Sequence, residues 1–310
     1  MIVSIITPSF NQGQFIEDTI KSVLEQKGNF YIDYIIQDGG SNDETVKIIK
    51  KYENLLKKNC KIKKIKGLEF YIKRNKNFRF NNCLGISYRW ESKKDNGQVD
   101  ALKKGFRKAI GDIYAWLNSD DFYLNKNVLE KVALYFKKDK NLKILTADGI
   151  FTDKEGKKTG VHHVSRINFK ELLYLDYHIL QPSTFVKSEI HKNEYLDESY
   201  RVAFDCYYFI KLLSLGYEYK KTNDLFSAFR FYQENKTLGL ANIGFKEQMR
   251  IAWHFSKNIF YFLISYIYRY FEKNFYPKYK NTLFFQKIFL RLQNFSYRII
   301  INEKYEERTK

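Results

Sequence analysis

Ala115-Trp116-Leu117-Asn118-Ser119-Asp120-Asp121-Phe122-Tyr123 opens as an apolar run and turns abruptly polar, ending its middle section in two adjacent carboxylates. Gly111-Asp112-Ile113-Tyr114 leads into it, and Asn127-Val128-Leu129-Glu130-Lys131-Val132 starts a pattern of helical spacing, so the acid pair lies between a strand and a helix. Two carboxylates at a strand end suit a hard divalent cation, which takes one or two protein oxygens and completes its shell from phosphate and water. They equally suit the entrance of the next helix, whose N-terminus attracts negative charge. The rest of the chain has to decide between a metal site and a cap.

Outward from that stretch the strand-turn-helix alternation repeats. Ile2, Val3, Ile5 and Ile6 form a short apolar run that stops at Thr7-Pro8-Ser9, and residues 15–24 follow with apolar side chains at helical spacing. Tyr34-Ile35-Ile36-Gln37 ends at Asp38-Gly39-Gly40-Ser41, before a helix carrying Val46, Ile49 and Tyr52 on one side, with Ser41 and Glu44 at capping-box spacing. Buried strands alternating with helices predict an α/β fold with a mostly parallel sheet, in which ligands gather at the carboxyl ends of strands. Thr7 to Asn11, Asp38 to Ser41 and Asn118 to Asp121 all fall there.

The intervening residues 57–89 are basic and irregular, with a short strand at Cys60 to Ile65 and an insertion, read as a hairpin, in which aromatics alternate with Lys and Arg. Such interleaving can stack and neutralise a nucleic acid; a solvated loop with its aromatics packed on the body is the plainer reading. Asp95-Asn96-Gly97 is a turn that opens a helix carrying Leu102, Phe106, Ala109 and Ile110 and stopped at Gly111; its N-terminus is placed to receive phosphate. Further on come a strand at Lys143 to Ala147, a hairpin through Asp153 to Lys157, and Ile179 to Val186 as a strand interrupted by Pro182. Asp205 begins a helix closed by Gly216, where its carboxylate serves either as a cap or as a general base, and the next strand puts Arg230 near its end. His162 and His163 are adjacent and point to opposite strand faces, so they do not share an ion and are read as surface or acceptor-loop residues.

Composition sets the outer bounds. The chain has 310 residues, 44% hydrophobic, enough to bury a sizeable core, and its 54 Lys and Arg against 35 Asp and Glu give a net charge of +19. That excess calls for an anionic partner: nucleic acid, a phosphorylated substrate or an acidic membrane surface. Cys60, Cys83 and Cys206 have neither pairing number nor metal-ligand spacing, which points to a reducing compartment. Met1 to Pro8 reads as the first core strand and not a signal peptide, and no uncharged run approaches the roughly 20 residues that span a bilayer.

The order of these signals resembles the family 2 glycosyltransferases of the GT-A fold, bacterial enzymes that transfer a sugar from a nucleotide diphosphate donor. The resemblance rests on Ser4 to Asn11, Gln37 to Thr45, Asp95 to Ala101, Trp116 to Asp121, Gln181-Pro182-Ser183 and Asp205, and covers about residues 1–235. It implies a Rossmann-like central sheet flanked by helices, a UDP-sugar donor and Mn2+ or Mg2+. By position it implies that Thr7, Pro8 and Ser9 line the nucleobase pocket, that Asp38 accepts a hydrogen bond from the uracil ring, and that Gly97, Gln98 and Asp100 lie along the donor. Asp120 and Asp121 match the acidic metal motif, with Asp121 on the cation and Asp120 on the ribose or sugar, or both sharing the metal. Asp205 matches the general base of an inverting displacement, and Gln181 and Arg230 are weaker candidates for acceptor or phosphate contact. One departure is Lys103, where many relatives carry Asn before the Lys-Gly pair.

Past residue 240 the text becomes aromatic and basic. Ile259 to Tyr268 is very apolar but short of a span, and Phe284, Ile288, Leu292, Phe295 and Ile299 recur at helical spacing beside Lys287, Arg291, Asn294 and Arg298. This predicts a C-terminal helical region, 241–310, appended to a catalytic domain, 1–240, and lying on an anionic membrane surface or packing on the domain or on a second copy in a homo-oligomer. The expected whole is a cytoplasmic enzyme, peripheral at the inner face of the membrane, that glycosylates a glycan or lipid-linked acceptor in surface polysaccharide or lipooligosaccharide synthesis. No specific nucleic acid is expected as partner. The alternative is a basic nucleic-acid-binding or non-catalytic protein on the same scaffold; a nucleotidyltransferase is disfavoured because Thr7 to Asn11 lacks the glycines of a phosphate loop.

Overall fold

The structure, a computed structural model, describes the chain apart from residues 75, 166, 233–238, 276–277, 279–281 and 302–310. Its centre is four parallel strands in the order β5 (Gly85–Ser92), β2 (Tyr31–Asp38), β1 (Ile2–Ser9) and β6 (Ile113–Trp116). Every residue of β1 is buried, as a strand covered on both faces requires. The sheet continues through β10 (Thr184–Lys187), which runs antiparallel, then β8 (Ile144–Thr152) and β11 (Tyr219–Arg230), parallel to each other, and ends on β7 (Phe122–Tyr123). β9 (Lys158–His162) folds back on β8 through the turn at 153–157. The GT-A-like arrangement expected is thus present, with antiparallel strands added at the edges and one inside.

Alternation along β1 assigns the two faces. Val3 and Ile5 join α1 (Ile16–Leu24), α2 (Thr45–Asn59) and α4 (Val128–Lys138) in one apolar cluster, while Ile6 points to the other with α3 (Gln98–Lys108) and α5 (Phe204–Ser214). In α1 the buried residues Ile16, Thr19, Ile20, Val23 and Leu24 recur at the spacing that makes one stripe.

The basic insertion is a real hairpin, β3 (Cys60–Ile65) with β4 (Leu68–Lys73), and its lysines 61, 63 and 64 are exposed. Phe70, Tyr71 and Phe80 are buried, so its rings serve the core and are not free to stack on bases. Three local expectations change. Residues 181–183 form a tight helical turn before β10 and not a continuous strand, because Pro182 has no N–H to give a ladder. Ser41 makes no capping box: its hydroxyl donates to Asp38 at 2.5 Å, and α2 starts with Asp43 accepting from the Thr45 N–H at 3.0 Å. Gly111 does not cap α3, which ends at Lys108; a Cβ there would lie 2.7 Å from the Ser4 nitrogen, so glycine is required for close approach to β1.

After residue 240 come α6 (Ala241–Phe255), α7 (Ile259–Asn274) and α8 (Leu283–Ile300). They are not a separate unit. Met249, Ile251, Ala252, Ile264, Tyr268, Tyr297 and Ile300 lie in the same cluster as Ile6, Trp116 and Phe209, each large apolar side chain contributing about 2 kcal/mol by leaving water. Arg269 is buried and donates to the carbonyls of Leu172, Leu173, Tyr174 and Leu175, which fastens α7 to the catalytic body. The boundary at 240 therefore marks a change of composition, not of core. On α8, Leu292 and Ile299 pack against that core while Phe284 and Phe295 stay exposed.

Candidate active site

The carboxyl ends of β1, β2 and β6 lie side by side and floor a cleft of about 920 Å³. Pro8 and Ser9 from β1, Gly97 and Gln98 at the start of α3, Asp120 after β6, and Asp205 at the start of α5 all line it. Gln181 lines it too, and donates to the Trp116 carbonyl at 2.6 Å. Residues scattered over two hundred positions are brought together because parallel strands deliver all their loops to one edge. The Ser9 hydroxyl is buried here with no hydrogen-bond partner among the described residues.

Three predicted donor contacts lie elsewhere. Thr7 is buried below the floor, its hydroxyl 3.2 Å from that of Tyr34. Asp38, only 3% exposed, is committed to its own loop: its oxygens accept from the Gly40 and Ser41 N–H groups and from the hydroxyls of Ser41 and Ser92. It borders a smaller side cavity, not the main cleft. Asp100 accepts from the Asn96 N–H at 3.0 Å and pairs with Lys104 at 2.8 Å, and that hydrogen-bonded lysine holds its carboxyl below the usual range. It closes the entry turn of its own helix.

The acid pair occupies a tight turn in which the Asp121 N–H donates to the Asn118 carbonyl at 3.1 Å. The Thr19 hydroxyl, from α1, is within reach of the carbonyls of Ser119 and Asp121 at 2.9 and 2.7 Å and ties the turn to the body. Neither acid caps the next helix, which begins at Val128 behind Asn127. Asp121 lies beneath the cleft, 1% exposed, accepting from the Arg230 N–H at 3.2 Å and from the Asn118 amide at 3.3 Å. Asp120 is the member at the wall, and its carboxylate accepts from the Tyr232 hydroxyl at 3.1 Å. Burial raises both carboxyls above the usual range, and the neighbouring Asp120 charge raises Asp121 further. Of the two acids Asp120 lines the cleft and Asp121 lies beneath it.

Arg230, expected as an acceptor or phosphate contact, is not among the residues that line the cleft. It is 2% exposed beneath the turn, donates to the Asp120 carbonyl at 2.9 Å and to Asp18, and lies between the rings of Phe15 and Phe122 at 5.0 and 5.1 Å. Asn118 links the cleft walls: it accepts from Gln98 at 2.9 Å and donates to Gln181 at 3.4 Å. Asp205, in the first turn of α5, accepts from the Cys206 N–H at 2.7 Å and lines the cleft. His162 and His163 reach different partners, the His178 carbonyl and Asp148, as their opposite directions require.

Sequence reasoning missed Tyr232 and Asp95 as cleft residues. Asp95 carried a turn signal, and its carboxylate does accept from the Gly97 N–H at 2.8 Å, but its abutment on Gly39 depends on tertiary contact. Tyr232 sits just past a strand and carries no local signal at all.

Residues 4–80 and 75–188, more than half of the chain, match the model of Glycosyl transferase family 2. TuaG of Bacillus subtilis, named for teichuronic acid biosynthesis, is 31% identical over 130 residues, 42% of this chain and 40% of that protein. The chain spans only about two fifths of the length of such curated relatives, 37 to 40%. Among solved structures, Staphylococcus aureus TarS in complex with UDP-GlcNAc superposes with a TM-score of 0.55 at 15% identity, over 97% of this chain and 82% of that one. The mannosyltransferase PcManGT of Pyrobaculum calidifontis, in complex with GDP-Man and Mn2+, gives 0.51 at 12% identity, over 86% and 69%.

Proposed function

The chain belongs to glycosyltransferase family 2, and on that premise we propose that it moves a sugar from a UDP-sugar to a hydroxyl of a glycan or lipid-linked acceptor, with inversion, in surface polysaccharide or lipooligosaccharide synthesis. The observation that carries the reading is that Asp120 and Asp205, from opposite halves of the chain, line one cleft at the carboxyl edge of the parallel strands. In this reading the nucleotide lies along Pro8, Ser9, Gly97 and Gln98, and the partnerless Ser9 hydroxyl finds its acceptor or donor there.

Asp205 takes the proton of the acceptor hydroxyl as its oxygen attacks the anomeric carbon. Asp120 supplies the protein oxygen for a divalent cation. Its donor set fits Mn2+ or Mg2+: a carboxylate at the wall, raised by burial and so stabilised by a nearby positive charge, with room for diphosphate and water oxygens. Among the described residues no three His, Cys, Asp or Glu converge on a point. When bound, the cation supplies stabilisation of charge on the leaving diphosphate. Asp121 keeps the turn in place by holding the Arg230 N–H and the Asn118 amide.

The exposed face of α7 favours contact with an anionic membrane surface on the cytoplasmic side. Ile259, Phe260, Leu263 and Ile267 are each more than half exposed, and α8 adds Phe284 and Phe295 among exposed Lys287, Arg291 and Arg298. No helix among the described residues is long and apolar enough to cross a membrane. Flotation with phosphatidylglycerol vesicles tests this: wild type floats and a Phe260→Ser, Leu263→Ser, Ile267→Ser variant does not, while equal behaviour would remove the membrane from the account. For the enzymatic reading, UDP release is measured from a panel of nucleotide sugars with and without Mn2+. Release from one UDP-sugar, stimulated by the metal, is the expected result; silence across the panel would overturn it.

A further inference from the structure

The wall that carries Asp205 is residues 198–205, and it approaches α5 with three successive N–H groups, those of Arg201, Val202 and Ala203, that take their partner from outside their own segment. Ala203, at the N-cap position, has no side chain that can accept. Their partner comes from α6. Glu247 accepts all three: one carboxylate oxygen takes the Arg201 N–H at 2.6 Å, and the other takes those of Val202 and Ala203 at 2.8 Å each.

Glu247 is 8% exposed, and its carboxylate is held by these three backbone donors. Burying a carboxylate is costly unless charge-assisted hydrogen bonds replace its water, which this arrangement supplies. The same helix adds one more hold. Arg250 donates to the carbonyl and hydroxyl of Ser199 at 2.8 and 2.9 Å and lies 3.9 Å over the Tyr200 ring. Positions 247 and 250, one turn apart on α6, thus grip residues 199–203.

What is gripped matters for chemistry. Arg201 and Asp205 both line the cleft, and Asp205 lies two residues beyond the last held amide. We propose that Glu247 is a positioning residue for the acceptor side of the transfer reaction, fixing residues 201–203 from the C-terminal helix so that Asp205 and Arg201 face the acceptor. This rests on the transferase reading above. It makes the C-terminal helices part of the catalytic apparatus, since a reacting group displaced by about 1 Å costs on the order of 100-fold in rate.

The test uses the full chain with Glu247→Gln, which keeps size but turns an amide NH2 toward an N–H donor. At saturating UDP-sugar and acceptor the transfer rate should fall at least about tenfold and the acceptor KM should rise. UDP affinity and stoichiometry should stay within twofold, and amide exchange at 201–203 should accelerate. Arg250→Gln, on the exposed side of the helix, should move the same readouts less and in the same direction, and serves if Glu247→Gln fails to fold. Ile251→Val trims the buried face of the same helix while leaving the hydrogen bonds to residues 201–203 in place, and should keep the wild-type rate per UDP-binding site. A full rate in Glu247→Gln or, if it fails to fold, in Arg250→Gln, or an equal loss in Ile251→Val, overturns the proposal while the transferase reading stands. No turnover by wild type overturns both.

Discussion

Replacing Arg230 with methionine removes the charge beneath the acid turn while keeping a side chain that fills much of the space. The guanidinium hydrogen bond to the Asp120 carbonyl, at 2.9 Å, is a charged donor in a buried site and contributes about 1.5 kcal/mol net. The two ring faces of Phe15 and Phe122, at 5.0 and 5.1 Å, add about 0.5–1 kcal/mol each. The Asp18 pair adds only about 0.5 kcal/mol, because that aspartate side chain is half exposed. With part of the apolar burial retained by methionine, Arg230→Met should destabilise the fold by about 3 kcal/mol. The backbone N–H of residue 230 still reaches Asp121, so the chain should fold, with Asp120 loosened at the cleft wall. Urea unfolding gives the stability change, and calorimetric titration with UDP and Mn2+ gives the coupling, expected as at least a tenfold weaker affinity. A stability change under about 1 kcal/mol together with unchanged UDP binding would refute the reasoning that Arg230 supports the acid turn.

Other expectations follow from the same kind of reading. His191 packs tilted against the Phe106 ring, centroids 4.2 Å apart, and burial lowers its imidazole to about 4; since the unfolded chain takes up that proton first, near 6.5, stability should fall by about 2 kcal/mol between pH 7.5 and 5. Urea midpoints should show that slope flattened in His191→Gln, and an unchanged slope would contradict it. Gly111→Ala puts a Cβ 2.7 Å from the Ser4 nitrogen and 2.9 Å from the Ile113 carbonyl, both backbone, and should cost about 2–3 kcal/mol. Gly160→Ala, whose nearest neighbour is at 3.8 Å, should stay within about 0.5 kcal/mol, and similar unfolding midpoints for the two would defeat the close-approach explanation.

The parts of the fold written as periodicity were legible. The β1 run, buried throughout, the β2 run, buried after Tyr31, the stripe of α1 and the turn at residues 95–97 are local patterns that place loops on the ligand edge. What stayed hidden was the choice of partner. Nothing near Asp38 tells that Ser92, 54 residues on, would occupy its carboxylate, and nothing near Asp121 tells that the amide of Arg230, 109 residues on, would. Of the two adjacent acids Asp121 is turned inward, held by the Arg230 N–H and the Asn118 amide. The most distant case is Glu247, which reads in sequence as an ordinary charged helix residue and is buried against the wall that holds Asp205.

The central claim is that Asp205 is the base of a transfer reaction in the Asp120 cleft. It is tested most directly by measuring single-turnover transfer and UDP affinity together in Asp205→Asn. The amide keeps the size and still accepts from the Cys206 N–H, so the cleft should stay intact. UDP affinity with Mn2+ should be within twofold of wild type and transfer should be abolished. Full transfer in the variant, or loss of UDP binding equal to the loss of transfer, would contradict it.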